Sequence, residues 1–307
     1  MGSMSGERNW LRQWWFVWLP LAVMALLAAA YGGYRAMLQH KVKEHLQAFA
    51  DAGYPTTLEE LDEWYEEPPP GQNAADIYLE AFRHLVEPTE EEEAKLPWVG
   101  DVEWPSPGEP LPPEMKSAIE AHVEANRETI QLLREGASRE RCRYPIDLEE
   151  GITAELPPLG NMRASTSLLS LATCLNAGEG RADAAAKTLE AAFALADSFA
   201  QIPNMICQLV RMAAQSIALD GLEHALNCAA IPDSHLVRLQ YLLGEAASRT
   251  QTLERGIAGE TVTMFYAIRT LDEIRPGQLA WAMRIKKAAA LTETDAVYYL
   301  DVMEQYL

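Results

Sequence analysis

The sequence predicts an all-α protein in which a single N-terminal transmembrane helix precedes a domain of helical hairpins. The 18-residue run from Trp14 to Tyr31 carries no charged residue. Along most of the remaining chain, apolar residues recur three and four positions apart, whereas no stretch alternates in the manner of a strand. With 49% hydrophobic and 23% charged residues, the composition is that of a folded protein rather than a disordered one.

The run Trp14–Tyr31 is close to the minimum length for crossing a bilayer, because a helix rises about 1.5 Å per residue against a hydrocarbon layer of about 30 Å. Aromatic residues mark both of its ends, as membrane interfaces prefer: Trp10, Trp14, Trp15, Trp18, Tyr31 and Tyr34. A cleaved signal peptide with a site at Ala28-Ala29-Ala30 and a buried core helix are the alternatives. A retained anchor is favoured, since signal sequences usually have apolar regions of about 7–15 residues.

The orientation of this anchor depends on the flanking charges, which are nearly balanced. Arg8 and Arg12 precede the run, Glu7 offsets one of them, and three basic residues follow, namely Arg35, Lys41 and Lys43. A short basic tail before the first apolar run is typical of an export signal. We therefore expect residues 1–13 to be cytoplasmic, and the main domain to be extracytoplasmic (periplasmic) at the cell membrane.

Composition divides the chain further. Residues 14–34 form the anchor, 35–86 predict juxtamembrane helices, 87–113 are a Pro- and Glu-rich linker without regular structure, and 114–307 form the helical domain. Thr57 and Asn73 stand where helix N-caps are expected. Residues 35–52 carry apolar side chains at helical spacing and predict a homo-oligomer contact: Leu38, Val42, Leu46 and Phe49.

The most regular part of the chain predicts two antiparallel helices. Apolar positions from Leu168 to Leu175 precede the tight turn Gly178-Glu179-Gly180, and alanine-rich positions from Ala185 to Phe199 follow it. Small alanines allow two helix axes to approach closely. The pair is similar in shape to one tetratricopeptide-type hairpin, which predicts a TPR-like or α-solenoid-like domain, although the aromatic positions of that consensus are lacking.

Charge and motif content exclude several classes of function. Acidic residues outnumber basic ones by 45 to 25, so nucleic acid is a poor partner. The chain contains no zincin, nucleophile-elbow, P-loop or dinucleotide-binding motif, and its six histidines lack metal-ligand spacing. We therefore predict no catalytic, cofactor-binding or metal-binding residues. The four cysteines are expected to be buried thiols rather than disulfides in one of three pairings: Cys142, Cys174, Cys207 and Cys228.

One polar block, from Arg139 to Asp147, is a candidate site. Its arginine forks suit a pocket for an anionic group or a partner, with four candidate residues: Arg141, Arg143, Tyr144 and Asp147. The alternative, which we favour, is a structural clamp in which the arginines pair with Glu149 and Glu150 while Tyr144 packs on the core.

Four sequence blocks carry a family resemblance: Gly53–Leu61, Asn73–Tyr78, Arg141–Asp147 and Arg255–Glu260. Their order resembles an uncharacterised family of membrane-anchored helical proteins of planctomycete-like bacteria, to which no activity is assigned. The resemblance implies a bacterial envelope protein and indicates no substrate.

Together these observations predict a membrane-anchored extracytoplasmic scaffold that binds another protein between helical hairpins, with the lipid bilayer as a partner through Trp14–Tyr31. The alternative is an extracytoplasmic, hydrolase-like enzyme with a site near the Cys142 loop.

Overall fold

A computed structural model describes residues 7–105, 111–248, 251–274 and 280–306, and the side chains within 18–105, 111–247, 251–270 and 284–306. All regular structure in these ranges is helical. The α-helices are α1 Glu7–Asp51, α2 Leu58–Trp64, α3 Ala74–His84, α4 Glu90–Glu93, α5 Pro113–Ala125, α6 Arg127–Gly136, α7 Leu159–Gly178, α8 Ala182–Asp197, α9 Met205–Cys228, α10 Asp233–Ser248, α11 Gln251–Ile274, α12 Ala280–Ala288 and α13 Leu291–Met303, and a 3-10 helix spans Leu148–Thr153.

These elements form two compact units. The α1 unit comprises Met1–Thr56 and Phe265–Tyr306, and the helical unit comprises Thr57–Met264. The all-α class is thus confirmed. The TPR-like stacking of hairpins stays a prediction.

In the α1 unit, α1 is continuous through Gly32 and Gly33 and extends over 45 residues. By length and composition, one helix in the described residues can cross a membrane, and it is α1 from Trp18 to Asp51. Its apolar side chains are exposed, with Leu26 at 70% and Leu27 at 65%, which contradicts the alternative of a buried core helix. The predicted features at Arg8, Trp10, Arg12, Trp14 and Trp15 lie outside the described side chains.

The second half of α1 pairs with α13. The Tyr31 hydroxyl donates to the carbonyl of Ala288, Arg35 Nε donates to Glu293 at 2.9 Å, and His45 Nδ1 lies 2.7 Å from a carboxylate oxygen of Glu304. Residue numbers rise together on both helices, so α1 and α13 run parallel. Leu38 and Phe49 are buried on this part of α1, and Ala296 and Leu300 are buried on α13.

This pairing gives the apolar positions of residues 35–52 a partner within the chain. The same positions predict a homo-oligomer contact in the sequence. The homo-oligomer contact stays a prediction, but it is not needed to cover these apolar positions, because α13 packs against them.

The helical unit is built on the predicted hairpin. Helices α7 and α8 are joined through a short turn at Glu179–Arg181 in which Gly180 adopts φ +73°. A positive φ favours glycine at this position. Helix α9 packs against both. The apolar positions predicted for the hairpin are all buried, which confirms its facing stripes: Leu168, Leu171, Ala172, Leu175, Ala185, Leu189, Ala192, Ala196 and Phe199.

Two predicted caps are confirmed. The Thr57 side chain accepts from the Glu60 amide at the start of α2, and the Asn73 side chain accepts from the Ala75 amide at the start of α3. Each satisfies a backbone donor that the first helical turn leaves free.

Asn126, which is fully buried, separates α5 from α6. Its side-chain amide donates to the Val86 carbonyl at 2.9 Å and its oxygen accepts from the Val86 amide at 2.8 Å. The break between α5 and α6 places the Asn126 side chain where it can bond to both backbone groups of Val86, just after α3.

The stretch 87–113 differs from the predicted linker. The capping box of Thr89 and Glu92 starts the one-turn helix α4. Leu96 is fully buried and belongs to a cluster with Ile119 of α5 and Leu171 of α7. The described part of this stretch therefore packs on the helices. The prediction of a linker rested on its proline and glutamate content and overlooked its few apolar residues.

Within α11, Gly256 and Gly259 are places of close packing. A Cβ on Gly259 would lie 1.8 Å from the carbonyl oxygen of Pro203, and one on Gly256 would lie 2.9 Å from the side chain of Gln208. The backbone after α8 therefore approaches α11 to a distance that a side chain would prevent.

We predict that Gly259→Ala lowers the free energy of unfolding by about 1–3 kcal/mol or more, because the added methyl meets backbone that has little room to move. Gly244→Ala is the matched control. Gly244 is exposed in α10 with open space around it, so alanine should raise the free energy by about 0.5–1 kcal/mol. Urea unfolding of the detergent-solubilised chain, followed by circular dichroism, measures both. Equal stability of Gly259→Ala and the wild type would contradict this packing.

Candidate functional site

The helical unit contains a cleft of about 900 Å³. One face of α10 and the C-terminal part of α8 form two of its walls, and α2, α3, α9, α11 and the segment after α6 complete it. The volume is in the usual range for ligand sites. The cleft lining includes these polar and aromatic residues: Trp64, Glu66, Tyr78, Ser138, Arg139, Glu140, Arg141, Cys142, Phe193, Asp197, Ser198, Gln201, Gln215, Arg238, Tyr241, Glu245 and Arg255.

The crossing segment, residues 139–147, forms part of this lining and is held by residues at the end of α2 and the start of α3. Asn73 donates to the Arg143 carbonyl at 2.8 Å and accepts from the Arg143 amide at 2.9 Å. The Ala74 amide donates to the Arg141 carbonyl at 2.9 Å, and the Tyr144 amide donates to the Tyr65 hydroxyl at 2.8 Å. These bonds pair backbone groups of the crossing segment that have no helical or strand partner.

Tyr144 anchors the crossing segment. It is fully buried, its hydroxyl lies 3.0 Å from the Ser198 hydroxyl, and its ring packs edge-on to Phe199 at 5.1 Å. Because Ser198 donates to the Leu195 carbonyl, Tyr144 is the donor in the pair with Ser198. Tyr144 is therefore committed to the core, as the clamp hypothesis expects.

Arg143 is also committed. One guanidinium nitrogen contacts both carboxylate oxygens of Asp62 at 2.9 and 3.0 Å, and the guanidinium lies 4.8 Å from the centre of the Tyr65 ring. Arg141 contacts Glu66 at 3.4 Å. The predicted partners Glu149 and Glu150 were wrong, since the acids that bind these arginines lie at and beyond the end of α2.

Asp147 performs a local task, because its side chain accepts from the Glu149 amide and caps the 3-10 helix. The structure therefore brings Arg141 to the cleft lining, while Arg143, Tyr144 and Asp147 are occupied in holding the segment. The anion site predicted from these four residues is not assembled as a set.

The sequence did not single out Arg238 and Tyr241, which lie one turn apart on α10 and face the cleft. The Arg238 guanidinium lies 5.7 Å from the Tyr241 ring centre and makes no ion pair with a described residue. The signal available was a basic and an aromatic residue beside the apolar positions of α10, Leu239 and Leu242. Trp64 and Arg255 were also missed as site residues. The Arg255 guanidinium lies 3.9 Å from the Trp64 ring centre and donates to the Gln201 carbonyl at 2.9 Å.

A buried arginine, Arg211, lies beside the part of the cleft that the end of α8 forms. Arg211 of α9 donates to Gln208 at 3.0 Å and to Thr252 at 2.5 Å, and it lies 3.8 Å from Asp197 of the cleft lining. Gln208 in turn donates to the carbonyls of Phe199 and Ile202. Through the hydrogen bonds of Gln208 to these two carbonyls, the network holds the backbone that follows α8.

Cys142 is the cysteine that lines the cleft. Burial raises the pKa of its thiol to about 12, so the sulfur is neutral at physiological pH and a poor nucleophile. All four cysteines are free. Cys174 and Cys207 are buried, as expected, whereas Cys142 is partly exposed and Cys228 is exposed, so the expectation of a buried thiol is wrong for Cys228.

The histidines of the described residues are not grouped for metal binding. His122 is buried and lies 3.5 Å from the Asn126 amide, and burial lowers its pKa, as expected for a core histidine. Within the described part of the chain, no group of three or more His, Cys, Asp or Glu side chains is placed to hold a metal ion.

His235 attaches the first turn of α10 to α8. Its Nδ1 lies 2.8 Å from Glu190 and its Nε2 lies 2.9 Å from Asp183. A neutral imidazole has a single N–H donor, so both contacts are hydrogen bonds only when the ring is protonated. The hydrogen bonds to Glu190 and Asp183 raise the pKa of His235. This histidine therefore clamps the α10 wall of the cleft most strongly when it is charged.

We predict a pH-dependent contribution of His235 to stability. Because its folded pKa is raised, the contribution is fully present below its unfolded value of about 6.5 and is lost as pH rises through the folded value. The difference in free energy of unfolding between wild type and His235→Gln should be larger at pH 5.5 than at pH 8.5. Urea titrations of both proteins at both pH values measure it. A difference that stays constant or grows with pH would rule out the charged clamp.

Known proteins give no guide to the role of this cleft. No family model, no curated protein and no solved structure matches this chain.

Proposed function

We propose that this protein is a membrane-anchored, extracytoplasmic binding protein that uses the cleft of its helical unit to hold a segment of a protein partner. The single observation that carries the proposal is the cleft itself, about 900 Å³ in volume and lined by arginine, carboxylate and aromatic side chains. A short peptide presents the same mixture of charged, polar and apolar groups.

The anchor part of the proposal is supported by α1. Its side chains from Trp18 to Leu27 include large apolar groups that are about half exposed or more. Contiguous apolar surface of this kind requires a partner, and a bilayer suits a run of this length. The basic tail within residues 1–13 is the reason to assign the helical unit to the extracytoplasmic side.

The binding part is supported by the state of the charged residues in the cleft. Arg143 and Arg255 are engaged by the protein itself, whereas Arg238 is available. An arginine fork beside an aromatic ring binds a carboxylate with directional hydrogen bonds. Trp64, Tyr241 and Leu242 offer apolar contact around it. We infer that the partner segment contributes a carboxylate to Arg238 and an apolar side chain to these neighbours.

The alternative, an extracytoplasmic hydrolase-like enzyme with a site near the Cys142 loop, has the cleft in its favour because Cys142 lines it. It has less support from chemistry. The thiol with a pKa of about 12 is not activated, and the described lining residues contain no histidine to act as its base.

We predict that Arg238→Ala weakens partner capture at least about tenfold, since truncating one member of a desolvated charge pair typically costs 2–5 kcal/mol. The tagged full chain, solubilised from its native membranes, is used for quantitative pull-down. Arg163→Ala is the matched control, because Arg163 is an exposed arginine of α7 outside the cleft.

A specific partner that the wild type and Arg163→Ala recover equally, and that Arg238→Ala loses, is the expected result. Equal recovery by all three proteins, or the absence of any specific partner, would contradict the proposed use of the cleft. Thermal unfolding of each variant checks that the loss does not come from misfolding.

A further inference from the structure

The end of the apolar part of α1 lies beside the C-terminus of α12. The Tyr31 hydroxyl donates to the Ala288 carbonyl, and Ala288 is the last residue of α12. Tyr31 also ends the apolar run Trp14–Tyr31 and, in a spanning helix, is an aromatic residue expected at the headgroup level. The last turn of α12 is therefore held at the level where a bilayer would end.

That last turn is basic. Residues 284–287 read Arg-Ile-Lys-Lys, within a chain whose net charge is −20. Arg284 and Lys286 are exposed, and Ile285 between them is 56% exposed. Lys286 contacts Asp295 at 3.2 Å, which leaves its other N–H donors available.

Neighbouring acids do not cancel this charge. Over 28–40 of α1 and 284–296 of α12 and α13, the basic side chains outnumber the acidic ones. The basic set is Arg35, Arg284, Lys286 and Lys287, and the acidic set is Glu293 and Asp295. Arg35 occupies Glu293 at 2.8 Å and Lys286 occupies Asp295, so Arg284 has no ion pair among the described residues.

We propose that α12 is a membrane-surface helix whose basic last turn binds the headgroups of anionic phospholipids while Ile285 enters the boundary of the acyl chains. Exposed basic side chains around an apolar one are the composition by which helices bind an anionic bilayer surface. The contact with Tyr31 fixes the depth, and the pairing of α13 with α1 fixes the position of α12. This inference rests on the proposed anchoring by α1, but not on the proposed use of the cleft.

The test uses the full chain in proteoliposomes of phosphatidylcholine, with or without phosphatidylglycerol. Ile285→Cys in a Cys228→Ser background is labelled with an environment-sensitive dye, since burial raises the pKa of the thiols of Cys142, Cys174 and Cys207 and leaves them poorly reactive. Quenching by lipids that carry a spin label near the headgroup measures contact with the bilayer.

Tyr298→Cys in the same background is the matched control. Tyr298 is 72% exposed and lies seven residues after Leu291, the first residue of α13, which is about 10 Å along that helix at the helical rise. We expect quenching several-fold stronger at 285 than at 298, stronger with phosphatidylglycerol than without it, and weakened by salt. Replacing Arg284, Lys286 and Lys287 by glutamine should remove the dependence on phosphatidylglycerol.

Extraction by alkaline carbonate separates the two proposals. A chain that resists extraction but shows equal quenching at 285 and 298, or no effect of phosphatidylglycerol, keeps its anchor and overturns the surface helix. A chain that carbonate extracts overturns the anchor itself.

Discussion

Buried backbone N–H and C=O groups that lie outside helices and strands need other hydrogen-bond partners. An unpaired buried amide raises the free energy of the folded state by about as much as a lost hydrogen bond. The crossing segment 139–147 faces this constraint most severely. Asn73 replaces the missing helical or strand partner by bonding to both backbone groups of Arg143, and Tyr65 accepts the next amide, that of Tyr144. The ends of α2 and α3, the crossing segment and α8 are thereby joined through Tyr144 and Ser198.

This arrangement explains why one cleft side is rigid and polar. Arg143 lies over Tyr65 and holds Asp62, so the guanidinium serves the fold. Arg141, two residues away, lines the cleft. Two arginines of one block thus have different roles. The backbone directs Arg143 toward α2, where it binds Asp62, and leaves Arg141 in the lining of the cleft. On the opposite side, α10 depends on the His235 contacts and apolar packing, which makes it the wall that pH affects most directly.

Sequence patterns predicted the features that depend on local chemistry. The caps at Thr57 and Asn73, the hairpin turn at Gly180 and the buried stripes of α7 and α8 follow from residue type and spacing within a few turns of helix. The same reasoning indicated that the block around Tyr144 is structural.

What the sequence could not predict depends on contacts between distant parts of the chain. The partners of Arg141 and Arg143 are Glu66 and Asp62 rather than the nearby Glu149 and Glu150. Nothing in the local pattern indicates that α13 runs parallel to α1 some 250 positions earlier, or that Gly259 admits the backbone of Pro203. The cleft itself is assembled from segments spread between Trp64 and Arg255, so Arg238 became visible as a site residue only in the folded helical unit.

Native-state amide hydrogen exchange of the crossing segment tests the central claim most directly. Protection of a loop amide requires a hydrogen bond that breaks only with the surrounding structure. We predict that the amides of Arg143 and Tyr144 exchange as slowly as core amides of α7, and that Asn73→Ala accelerates exchange at Arg143. Exchange of both amides as fast as that of the exposed residues Glu66 and Glu67 would contradict the account, because the crossing segment would then not be held by α2 and α3.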